Sequence, residues 1–106
     1  MKIGIFGRTS ALYKTALLLI EAGHEIPVIV TAKAASEYRV TAGDFEKLAA
    51  RCGSRFLRTT NRARTEQMLQ ECTPLDIAVS MNYPAIIPQR VIDYFRLGIL
   101  HAHGGD

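Results

Sequence analysis

Cysteine is scarce in this chain, and the little there is carries no pattern: Cys52 and Cys72 stand far apart. Their spacing fits neither a metal-ligand knuckle nor a redox Cys-x-x-Cys pair, so both read as buried, reduced thiols suited to a reducing cytoplasm. Long apolar runs are missing too. The opening Met1 to Gly7 is too short for a signal peptide, and no segment approaches the roughly 20 apolar residues of a membrane span. That predicts a soluble protein. Stacking aromatics are sparse where cations gather: Arg51, Arg55, Arg58, Arg62 and Arg64 have only Phe56 among them, which favours a solvated helix rim over a nucleic-acid surface. Charge of either sign is barely in excess, at +3, a balance that suits an anionic ligand such as a phosphate and equally suits mere solubility. Linkers, repeats and low-complexity tracts are also lacking. With 48% hydrophobic and 22% charged residues over 106 positions, the chain reads as one domain around one core.

What is present is an alternation of short apolar runs with helical stripes. Ile3, Ile5 and Phe6 before Gly7 predict a buried strand. Ser10 is the expected cap of a helix that carries Leu12, Ala16, Leu19 and Ile20 and stops at Gly23. A second strand spans His24 to Thr31. A polar connection follows, and Phe45, Leu48, Ala49 and Cys52 form the stripe of a helix closed by Gly53. Arg55 to Thr59 is the third strand. Asn61 caps a helix bearing Met68, Leu69 and Cys72, and Pro74 ends it before a strand over Leu75 to Met81. Pro88 opens a short helix with Val91, Ile92 and Phe95, and Ile99 to His103 is the last strand. Five strands joined by crossovers predict an α/β fold, a doubly wound parallel sheet in the order 3-2-1-4-5.

Ligands of such sheets sit at the carboxyl ends of the strands. The first turn, Gly7-Arg8-Thr9-Ser10, lacks the three-glycine spacing of a dinucleotide fingerprint, and Thr31 and Lys33 stand where a ribose-binding acid belongs. A nicotinamide site is therefore disfavoured. Free amides at that helix start suit a single phosphate or carboxylate, with a plain helix cap as the equal alternative. His101 and His103 are the stronger signal. Two residues apart on a strand, they share a face and form a compact acid/base pair. Apart from Asp106 no further Cys, His or carboxylate cluster accompanies them, so a metal site is not expected; exposed histidines at a strand end are the bland alternative.

The order of these pieces resembles the amino-terminal half of the folate-dependent formyltransferases, the family that includes methionyl-tRNA formyltransferase, glycinamide ribonucleotide formyltransferase and sugar N-formyltransferases. The resemblance is carried by Lys2 to Ser10, by Thr73-Pro74-Leu75-Asp76-Ile77-Ala78-Val79, by the Asn82 to Pro88 loop ending Ala85-Ile86-Ile87-Pro88, and above all by Leu97-Gly98-Ile99-Leu100-His101-Ala102-His103. It implies a Rossmann-like domain over residues 1–106 and transfer of a formyl group from 10-formyltetrahydrofolate to a primary amine. By position, His103 matches the family's catalytic histidine. His101 stands where the family has asparagine. Tyr83, Pro84, Ala85 and Ile86 match the loop that lines the pterin pocket, although a Pro-bounded lead into the next helix explains them equally well. The family's Leu-Pro loop would begin just after Asp106 and its essential aspartate further on, so this chain is expected to be inactive alone.

The chemistry shows what those groups are for. An amine attacking a formyl carbon creates an oxyanion that needs preplaced donors, and the leaving folate nitrogen needs a proton. In the family the asparagine and a protonated histidine supply the donors. An imidazole at position 101 cannot copy the geometry of a short amide, and weakening one such donor costs about 2.7–4 kcal/mol. The resemblance implies a folate and an amine as partners, no nucleic acid apart from a tRNA bearing that amine, and no membrane. The last strand, left as an open edge, invites pairing with a second copy.

Overall fold

The computed structural model describes residues 1–33 and 39–102. Five strands, β1 (Lys2–Gly7), β2 (Glu25–Thr31), β3 (Arg55–Arg58), β4 (Ile77–Met81) and β5 (Ile99–Ala102), form one parallel sheet in the order β3-β2-β1-β4-β5. Helices α1 (Ser10–Glu21), α2 (Ala42–Cys52), α3 (Arg62–Cys72) and the short α4 (Gln89–Ile92) alternate with them. The architecture is the Rossmann-like, doubly wound sheet that the alternation predicts.

The two-residue period of the strands divides the apolar residues between two cores. On one face Ile3, Ile5 and Ile29 pack under Leu12 and Ala16 of α1 and Phe45 and Leu48 of α2. On the other, Phe6, Val28, Val30 and Ala78 pack under Leu69 of α3, Val91 of α4 and Phe95. Burying each of the larger side chains contributes about 1.5–3 kcal/mol, which is why β1 and β2, covered on both faces, are apolar almost throughout. Gly4 belongs to this packing. A Cβ there would lie 2.6 Å from the Phe95 ring, so the absence of a side chain lets the ring settle on the sheet.

Several details differ from the sequence reading. Thr9, not Ser10, caps α1: its backbone is extended, which suits a β-branched residue, and its hydroxyl accepts from the Leu12 amide at 3.3 Å. Ser10 is the first helical residue. Strand β4 begins at Ile77 rather than Leu75, because Asp76 closes the ladder with its side chain. Its carboxylate accepts the Lys2 amide at 2.7 Å, its own amide donates to the Lys2 carbonyl at 2.8 Å, and Leu75 bridges Phe95 instead. Both cysteines are free as expected, but neither is fully buried. Cys52 is exposed, being the last residue of α2 where Gly53 turns left-handed (φ 71°) and leads the chain away; Cys72 is half-buried, and that burial pushes its thiol up. Among the described residues no helix is long and apolar enough to cross a membrane.

Candidate functional site

The sheet reverses its winding between β1 and β4, and the two strands end there in close contact. A Cβ on Gly7, whose φ is 151°, would fall 2.0 Å from the Met81 carbonyl oxygen, so only glycine lets the first turn lie against the end of β4. One residue past β4, Asn82 takes a left-handed conformation (φ 53°), which an asparagine tolerates, and turns the chain outward over the carboxyl ends of the strands.

The loop that follows is pinned by Tyr83. Its hydroxyl donates to the Thr59 carbonyl at 2.6 Å, and its ring meets Phe6 edge-on at 5.9 Å between centroids. Burial pushes the phenol above its usual range, with the Thr65 hydroxyl pulling the other way, so Tyr83 holds the loop as a neutral donor. The tie to Thr59 joins the β4 side of the crevice to the end of β3.

In parallel register Phe6 pairs with Ser80 and Ser80 with His101, so one row across the α3/α4 face runs from β1 through β4 to β5. The edge of that row opens into a cleft of about 500 Å³. Ser80 and His101 supply its polar wall; Tyr83, Pro84, Ala85 and Ile86 supply the loop side; Ile87, Ile92 and Ile99 complete an apolar lining. Its size lies within the usual range for small-molecule sites. The structure thus brings His101 together with all four loop residues singled out from the sequence. His103 lies outside the described residues, as does Asp106. Among the described residues no group of His, Cys, Asp and Glu side chains is arranged to hold a metal.

No protein-family model matches the chain, and no curated protein matches it. The site must be read from its own geometry.

Gly7, Arg8, Thr9 and Ser10 do not line this cleft. Thr9 is buried and occupied as the cap of α1, and an Arg8 nitrogen donates to the Lys33 carbonyl at 2.9 Å across to the end of β2. Thr9 thus serves as a helix cap. At the opposite end of the sheet a second cleft, of about 440 Å³, is lined by His24, Cys52 and Cys72 among others, and the amino terminus hydrogen-bonds the His24 Nδ1 at 2.9 Å. The sequence does not single out Ser80, Ile87, Ile92 or Ile99 as residues of this cleft. Ser80 left a signal: it is a lone hydroxyl in an otherwise apolar strand, at the position where the period of two puts it on the same face as Ala78.

Proposed function

We propose that this chain forms the donor-binding part of a cytoplasmic formyltransferase, one that moves a formyl group from 10-formyltetrahydrofolate to a primary amine. One observation carries the reading: His101 and the loop residues Tyr83, Pro84, Ala85 and Ile86 line a single cleft at the carboxyl end of the sheet, beside the point where its winding reverses. These are the positions that resemblance assigns to the folate pocket and to the oxyanion donor. The free cysteines accord with a reducing compartment.

The residues present suit such a donor. The apolar loop side and the isoleucines offer flat contact to a fused ring, and His101 offers an N–H at the polar end. When bound, the folate supplies a formyl carbon already activated toward an amine. In this reading His101 donates a hydrogen bond to the oxygen on which charge develops, and His103 carries the proton that the departing nitrogen requires.

Two measurements test it. Calorimetric titration with 5-formyltetrahydrofolate, an isomer of the donor, is expected to give saturable heat; none at millimolar ligand overturns the assignment of the cleft. Formylation of several amines by the wild type and by His103→Ala then separates transfer from binding. Transfer that vanishes with His103 fits the enzyme, turnover indifferent to the substitution removes its role, and binding without any turnover fits a donor-binding part that is inactive alone as well as a non-catalytic folate-binding module.

A further inference from the structure

Four residues with hydroxyl side chains are buried among the described residues, and the fold answers three of them. Thr9 accepts from Leu12, Thr65 donates to the Asn61 carbonyl at 3.1 Å, and Thr31 donates to the Ala32 carbonyl at 3.4 Å. Ser80 is the exception: it is 0% exposed, and among the described residues its Oγ has no hydrogen-bond partner. A buried hydroxyl without a partner costs folding free energy, and alanine at this position would avoid that cost without enlarging the side chain.

Its place in the sheet is specific. Ser80 sits between Phe6 and His101 in the row across the sheet, and it lines the same cleft as His101. The other strand residue on this side of the cleft, Ile99, is apolar, as is the loop wall from Pro84 to Ile87. The cleft therefore presents its polarity at one end only, through an imidazole and a hydroxyl that both donates and accepts. A flat ring system bearing a formyl group, whose oxygen accepts from both side chains, is the chemistry that satisfies this end while the ring faces lie against the isoleucines.

We propose that Ser80 is a ligand-binding residue, its hydroxyl hydrogen-bonding the formyl end of the donor beside His101 once the bound ligand displaces the side chains that cover it. The proposal rests on the formyl-donor reading of the cleft. A residue that serves only the fold and one that serves a ligand respond differently to loss of the hydroxyl, and Ser80→Ala separates them. Calorimetry with 5-formyltetrahydrofolate is expected to show a Kd about five- to tenfold weaker for S80A than for the wild type. The Tm of the variant without ligand is expected to be unchanged or higher, because an unanswered hydroxyl has been removed. Equal affinities in the two proteins overturn the role of Ser80 and leave the reading of the cleft intact. A lower Tm for the ligand-free variant shows that the hydroxyl is bonded within the fold and also overturns it. No saturable binding by the wild type overturns the reading of the cleft, and the role of Ser80 falls with it.

Discussion

At the scale of single residues, this molecule is shaped most by two places where a side chain is missing. Gly7 allows the first turn to lie against the backbone of β4, and Gly4 leaves room for the Phe95 ring. The second is the better subject for substitution, because its backbone needs no special conformation and the whole effect comes from packing. Gly4→Ala is expected to destabilise by about 1–3 kcal/mol, the usual cost of overfilling a close-packed core. A reduced midpoint in urea with an unchanged slope would register it, whereas a midpoint equal to that of the wild type would show that Phe95 moves aside freely. Thr9 and Ser10 teach a related lesson. Either can cap a helix by chemistry, and the choice falls on Thr9 because its backbone is extended and its hydroxyl is within reach of the Leu12 amide.

At the scale of elements, Asp76 is the joint of the β4 side. One carboxylate oxygen accepts the Lys2 amide at 2.7 Å, and the other takes the Arg96 guanidinium at 3.2 Å, just before β5. The Lys2 amide first, and then Arg96, hold the Asp76 carboxyl below its ordinary value of 3.8. A depressed acid stabilises the fold where it is ionised, so its contribution is fully present above 3.8 and fades as the pH falls through the lower folded value. Asp76→Asn is therefore expected to lower the Tm at neutral pH, and the gap from wild type should close in acid. Thermal melts across the acid range check this; a gap that widens on acidification would contradict it.

The same joint shows what was legible in the sequence. The apolar run reveals strand β4 but places its start two residues early, because hydrophobicity marks Leu75 as strand while a carboxylate reaching across to Lys2 has no periodic signature. The order of the sheet was legible because alternation, crossover length and handedness leave few topologies. The exposure of Cys52 is hidden for the converse reason: it completes the helical stripe of Phe45, Leu48 and Ala49, but stripes do not reveal where a covering element ends. That His101 lines the cleft was signalled by the histidine pair at the strand end, whereas the loop residues were pointed to only by the resemblance. Ser80 was marked by neither, since its importance lies in standing opposite His101 on a strand twenty-one positions away.

At the scale of the whole molecule, the sheet is closed on its faces and open at its β5 side. That strand pairs with β4 and, among the described residues, with no other strand; Leu97 and Leu100 are 52% and 61% exposed beside it. An uncovered edge flanked by apolar side chains offers unpaired amides and carbonyls to a second copy. Sedimentation velocity over rising protein concentration is expected to show a dimer, and Leu100→Lys is expected to return the monomer. A wild-type profile that stays monomeric at high concentration would dismiss this pairing.

The register of β5 has a consequence of its own. The turn before it is held on both sides, with the Gly98 amide donating to Phe95 and the Gly98 carbonyl accepting from Ala78, each at 3.0 Å. That anchorage decides which of two neighbours, Leu100 or His101, looks toward Ser80. Because strand residues change sides at every step, an odd number of residues gained or lost at this turn would hand the cleft a leucine and send the imidazole to the opposite layer. An even number would restore it, so length variation among relatives of this chain should be even at Phe95 to Ile99 wherever an imidazole lines the cleft.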